Sequence, residues 1–302
     1  MAETSLGRMT RKSPVGAFES FGNSRFISIG GWINAIIPIL IVPYYSVIGG
    51  WVIKYLIEYF AGHSKTLAGD AYFTTFISNG WSTEICFIIF TLFTLGIIYA
   101  GVRNGIERVS KFMMPILIVL SLIIAVYSVT RPGAIEGVKY FLVPNFDHFS
   151  WMTVVSAMGQ MFYSLSIAMG ILITFGSYMK KDTSIEKSTE NVEIFDTAIA
   201  IMAGLMIIPA VFAFSGGNAE TLKSGPALMF ITIPKVFANM GFGTAIGIVF
   251  FLLVLFAAVT SSIALTESAV STFEDELHWS RKKSTVSVSY THLRAHETLR
   301  HL

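Results

Sequence analysis

The sequence predicts an all-α protein that crosses a membrane several times, and three observations predict it. Of its 302 residues, 53% are hydrophobic and only 13% are charged, where a soluble domain carries about 25% charged residues. Mean hydropathy is +0.65, and a soluble chain this apolar would expose large aggregating patches. The apolar residues also lie in long continuous runs, not in the two-residue alternation of a membrane β-barrel. Six runs are long enough to cross about 30 Å of hydrocarbon: residues 28–58, 84–102, 112–130, 152–178, 193–215 and 241–268. Backbone groups in lipid must bond to one another within each segment, so each run is expected to be a helix.

Residues 1–27 are polar and read as a loop segment on the cytoplasmic side, with no cleavable signal peptide. The first run carries Pro43, Tyr44 and Tyr45 at mid-depth, and tyrosines there suggest a lined cavity; Gly49, Gly50 and Trp51 follow, small residues that permit tight packing. Alternate loops are basic: Arg8, Arg11, Lys12 and Arg25, then Arg103, Arg108 and Lys111, then Lys180, Lys181 and Lys187, then Arg281, Lys282 and Lys283. Those loops, and the start of the chain, are expected to be cytoplasmic. The loop at 216–240 lies on the other side and holds its own helical stretch, Ala227 to Met240, which is expected to dock on the bundle. After Lys283 the pattern breaks. Residues 285–302 read as an unrelated tail, an artefact of read-through or assembly. His292 and His296 are four apart there, but the spacing alone is a thin basis for a metal pair.

Polar groups at membrane depth are costly and therefore mark candidate sites. The fourth run holds GQMFYSLSIAMG (Gly159 to Gly170). Its small residues suit either an unwound turn, whose freed carbonyl and N–H groups bind an ion or an amino acid, or a helix-packing face. The sixth run holds AAVTSS (Ala257 to Ser262). Its hydroxyls suit a hard cation, or else they bond the carbonyl four residues back. Asp196, near the start of the fifth run, suits an idle place at the interface, a cap on that helix or the neutralising of a cation, and Glu267 is expected to make a structural hydrogen bond. The net charge of +2 is too small to argue for nucleic acid, which is not expected as a partner, and the single cysteine, Cys86, excludes an intrachain disulfide. No histidine falls in a run and no nucleophile–base pair or phosphate loop is present, so no enzyme and no cofactor is expected.

Four motifs in order carry a resemblance: GRMTRKSPVGAF (Gly7 to Phe18), PYYSVIGGW (Pro43 to Trp51), GQMFYSLSIAMG with GSYMKKD (Gly176 to Asp182), and FAAVTSSIAL (Phe256 to Leu265) followed by FEDEL (Phe273 to Leu277). With FITIP (Phe230 to Pro234) in the outer loop, residues 4–284 resemble the bacterial branch of the neurotransmitter:sodium symporter family, of the leucine-transporter fold. The resemblance implies a partial inverted-repeat fold in which the six runs correspond to family spans three to eight, with the substrate-binding first span and the last four spans absent. It implies a multi-pass protein of the bacterial plasma membrane that takes up an amino acid with sodium by alternating access. The substrate site would comprise Ile41, Tyr45, Tyr163, Ser164, Ser166, Met169, Ser261 and Leu265, with Met169 favouring a hydrophobic or aromatic amino acid. Sodium would be held by Ser164 and Asp196, and by Ala257, Thr260 and Ser261. The Asp196 carboxylate would replace the charge that chloride supplies in animal relatives, so chloride would not be required. Tyr178 and Asp275 would belong to an inner gate. A proton-coupled protein of the same fold and a non-transporting membrane protein are the competing readings.

Overall fold

The long apolar runs become long helices. The computed structural model describes residues 1–22, 24–218, 222 and 225–289. Helices α1 (Ala2–Thr10) and α2 (Pro14–Glu19) precede α3 (Arg25–Phe60). Short helices α4 (Ser64–Leu67) and α5 (Tyr72–Ser78) lead to α6 (Gly80–Tyr99). A π-helical turn, Val102–Glu107, opens into α7 (Arg108–Val129), and α8 (Ala134–Leu142) follows. Then come α9 (Trp151–Ser164), α10 (Ile171–Tyr178) and α11 (Ile185–Ser215). A second π-helical turn, Leu228–Thr232, continues into α12 (Ile233–Ala238), and α13 (Gly243–Leu277) completes the long helices. A last helix, α14, begins at residue 281 and is described as far as 289.

Five of these helices are long and apolar enough to cross a membrane: Arg25–Phe60, Gly80–Tyr99, Asn104–Val129, Ile185–Ser215 and Gly243–Leu277. The remaining expected span, 152–178, is not one helix but two, α9 and α10, separated by residues 165–170. The fifth span starts eight residues before the expected 193. The Ser184 hydroxyl caps it by accepting from the Lys187 N–H at 3.3 Å, and its first two turns are polar enough to be missed by hydropathy.

Helix α13 is the spine, packing along α3 and α7, while α11 packs on α7 and α8, and α1 lies against α10. Gly50 lets α3 and α6 meet backbone to backbone: a Cβ there would sit 2.7 Å from the Phe87 nitrogen and 2.8 Å from the Cys86 carbonyl carbon. At one end of the bundle Trp51, Tyr55, Phe73, Phe230 and Phe251 form an aromatic cluster with ring centroids 5.0–5.6 Å apart. The Tyr55 hydroxyl donates to the Phe230 carbonyl at 2.8 Å. These contacts seat the 228–238 stretch, where Phe230, Ile233, Val236 and Phe237 are buried, and the expected docking of this loop is what the structure contains.

Two expectations concern the chain's end, and the structural hydrogen bond expected of Glu267 is present. Glu267 is fully buried and held by more than one hydrogen bond: Arg281 donates to both its oxygens, at 2.9 and 2.6 Å, and Tyr178 donates at 2.7 Å. Arg281 also donates to the Ile98 carbonyl, so the start of α14 is tied to the end of α6. Burial works against the Arg281 charge, but the Glu267 carboxylate outweighs it and raises the guanidinium above its ordinary range. The packed chain also continues past 285, where a tail was expected. Thr285 and Val288 are 2% and 1% exposed, and Val288 packs in a core with Phe90, Ile98 and Val259. Ser284, Thr285 and Val288 share one helix face, a spacing that hydropathy averages away. His292 and His296 lie outside the described residues.

Candidate functional site

The site is built on the break between α9 and α10. Residues 165–170 read LSIAMG and contain no proline. Helix α9 ends with Ser166 N–H donating to the Tyr163 carbonyl (3.2 Å) and Ile167 N–H to the Phe162 carbonyl (2.9 Å), the paired bonds of a Schellman cap. Three alternate residues then take left-handed backbone: Ser166 at φ 55°, Ala168 at 61° and Gly170 at 69°. For a residue with a Cβ that conformation costs about 1–2 kcal/mol, so the surroundings must hold it. Two side chains do. Glu3 of α1 accepts from the Ala168 N–H at 2.8 Å, and Asn34 of α3 accepts from the Gly170 N–H at 3.3 Å. Among the described residues, no backbone N–H bonds the carbonyls of Ser166, Ile167, Ala168 or Met169.

A cavity of about 460 Å³ opens beside the break. Its wall takes Ile41 and Tyr45 from α3, Tyr163 and Ser164 from α9, Ser166 and Met169 from the break, and Ser261 and Leu265 from α13. Thus all the residues expected to contact substrate face one space, and Asp196 and Thr260 face it too. The Ser164 hydroxyl donates to Asp196 Oδ1 at 2.6 Å. Asp196 sits about three turns inside α11, counted from Ile185, and therefore does not cap that helix.

Other expected residues fall elsewhere. Ala257 is not on the cavity wall, and its carbonyl accepts from the Thr260 hydroxyl at 3.1 Å. Thr260 also donates to the Phe256 carbonyl at 3.0 Å, so in this structure its hydroxyl takes the back-bonded arrangement. Tyr44 does not join Tyr45 in the cavity; it is 54% exposed. Of the two residues expected at an inner gate, Tyr178 pairs with Glu267, whereas Asp275 accepts from the Ser13 N–H at the start of α2. Met114, Gln160, Ile171 and Ala264 complete the wall, and Glu3 and Asn34 support it from behind; none of these was singled out from sequence. Glu3 lies just before the GRMTRKSPVGAF motif, and its separation of 165 residues from Ala168 hides the pairing in the sequence.

Comparison with known proteins agrees with this geometry. The model of the sodium:neurotransmitter symporter family matches residues 57–295. The crystal structure of MhsT in complex with L-phenylalanine superposes with a TM-score of 0.87 at 34% identity, over 98% of this chain and 67% of that one. An uncharacterised sodium-dependent transporter of Bacillus subtilis, YhdH, is 34% identical over 94% of this chain and 62% of its own length. Another, from Haemophilus influenzae, is 31% identical over 95% of this chain and 65% of its own. The chain thus spans a little under two thirds of the curated relatives it matches. With the fold, the broken helix and the family match in agreement, this multi-pass membrane chain belongs to the sodium:neurotransmitter symporter family.

Proposed function

We propose that this chain is part of a sodium-coupled symporter that carries a hydrophobic or aromatic amino acid by alternating access. The observation that carries the reading is the convergence of Tyr45, Ser164, Met169, Asp196 and Ser261 on one cavity beside an unwound helix. The unwound turn leaves the carbonyls of Ser166 to Met169 without a backbone partner, and free carbonyls suit a cation or the ammonium end of an amino acid. The Tyr45 hydroxyl is the donor for the substrate carboxylate. Ile41, Met169 and Leu265 offer an apolar, adaptable lining for the side chain, and Tyr163 is the aromatic over it. That a similar solved protein was crystallised with L-phenylalanine supports the choice of substrate class.

Sodium takes hard oxygen ligands. Ser164 and Asp196 supply hydroxyl and carboxylate at one position, already 2.6 Å apart. The Ala257 carbonyl and the Thr260 and Ser261 hydroxyls supply a second. The Thr260 back-bond uses only its proton, and its lone pairs remain for a cation. Because Asp196 brings its own negative charge, uptake is independent of chloride. The basic loops face the cytoplasm of a bacterial plasma membrane. Tyr178 and Asp275 close the inner side.

The test is uptake of labelled L-phenylalanine into proteoliposomes. The chain is assayed alone and joined to the further spans of the MhsT frame. The joined protein is expected to accumulate phenylalanine only under an inward sodium gradient, equally in chloride and gluconate. The chain alone is expected to be inactive. Equal uptake under a potassium gradient would overturn sodium coupling, and a steep chloride requirement would overturn the role given to Asp196.

A further inference from the structure

We infer that Asn34, outside the cavity, is a positioning residue that fixes the inner edge of the break by holding the Gly170 N–H. Asparagine is an expensive residue inside an apolar run, since each amide group must find a partner there. The structure gives both halves of the amide one. Nδ2 donates to the Gly30 carbonyl one turn back at 3.0 Å, and Oδ1 accepts from Gly170 at 3.3 Å. The first bond orients the amide: with the nitrogen committed to Gly30, the oxygen faces α10.

Gly170 is built for the same contact from the other side. It precedes α10 as its capping residue, where the N–H groups of the first turn have no partner within the helix. Its φ of 69° is left-handed, and a Cβ would lie 2.9 Å from the Asn34 carbonyl oxygen and 2.7 Å from Pro14 Cγ. Only glycine allows α3 to come this close. Glu3 holds the Ala168 N–H from a different helix at 2.8 Å. Ala168 and Gly170 bracket Met169, which faces the cavity. The two side chains thus hold the backbone on either side of one lining residue, and Asn34 holds it from the same helix that presents Ile41 and Tyr45.

The consequence for binding rests on the proposed function, but the contact itself can be tested without it. Hydrogen–deuterium exchange is followed on the chain in lipid nanodiscs, comparing peptides over 165–171 and over 258–270. Asn34→Leu keeps the size of the side chain and removes the acceptor; Asn34→Ala serves if leucine prevents folding; Asn34→Asp keeps an acceptor. Loss of one local bond is expected to raise exchange in 165–171 about tenfold in the leucine or alanine variant. Exchange in 258–270 should be unchanged, and aspartate should restore protection. Wild-type exchange in the leucine and alanine variants would overturn the inference, as would an equal rise in both peptides. Sodium-dependent phenylalanine binding is measured in parallel on the chain joined to the MhsT spans. If no version binds phenylalanine while the local exchange change persists, the proposed function fails and the role of Asn34 in holding the turn stands.

Discussion

Asp196 is the side chain on which the proposed ion requirement turns. Among the described residues it is the only carboxylate on the cavity wall, and the Ser164 hydroxyl already donates to it at 2.6 Å. Asp196→Asn removes the charge but keeps an oxygen. In the protein joined to its further spans, half-saturating sodium for phenylalanine binding is expected to rise about tenfold, equivalent to roughly 1.4 kcal/mol. Added chloride should recover part of the loss. An unchanged sodium titration would remove Asp196 from the ion site. Glu267 is the other decisive carboxylate, and it is structural. Breaking a buried, bidentate pair costs about 3–5 kcal/mol because the partner charge is stranded. Glu267→Ala is therefore expected to lower the thermal midpoint sharply in detergent, and Glu267→Met with Arg281→Met to recover most of it. A single variant as stable as the parent would show that Arg281 finds water instead.

Elements depend on where their backbones are allowed to approach or turn. Helices α3 and α6 touch at Gly50, where a Cβ would meet Phe87 backbone at 2.7 Å. Alanine is the better helix former by about 1 kcal/mol, yet backbone cannot yield as a side-chain tip does. Gly50→Ala is therefore expected to destabilise by about 1–3 kcal/mol, read as lost thermal stability. A gain would mean that the helices separate at little cost. In the break the sign reverses between neighbours. Ala168→Gly relieves a left-handed alanine and is expected to be neutral or stabilising by up to about 1 kcal/mol. Gly170→Ala adds both the strained φ and a clash, and is expected to destabilise. Thermal unfolding of the two variants side by side decides it, and equal effects would show that the turn is not strained. Much of the cavity wall was visible in sequence because Tyr45, Ser164 and Ser261 sit inside motifs with a recognisable order. The depth of Asp196 was not, since the polar first turns of α11 look like loop to any hydropathy window. Asn34 was invisible for a deeper reason: its partner is a backbone N–H, which carries no residue type to search for.

At the scale of the whole molecule, the bundle is organised by α13, which contributes Ser261 and Leu265 to the cavity and Glu267 to the buried pair below it. The membrane class was legible from hydropathy alone, because burial in lipid imposes long uniform runs. The division of one run into α9 and α10 was legible only as one of two readings of its small residues, because in hydropathy the broken segment is as apolar as an unbroken one. The packing of Val288 was not legible, since it lies in a stretch whose small hydroxyl residues read as polar. Cys86, buried where α6 meets Gly50, has a use beyond packing. A thiol enclosed between two helices is hidden from maleimides. Since it is also the chain's single cysteine, a fluorophore or spin label can be attached at one introduced cysteine without first removing a native one, and motion of the α10 half-helix can be followed in an otherwise unaltered protein.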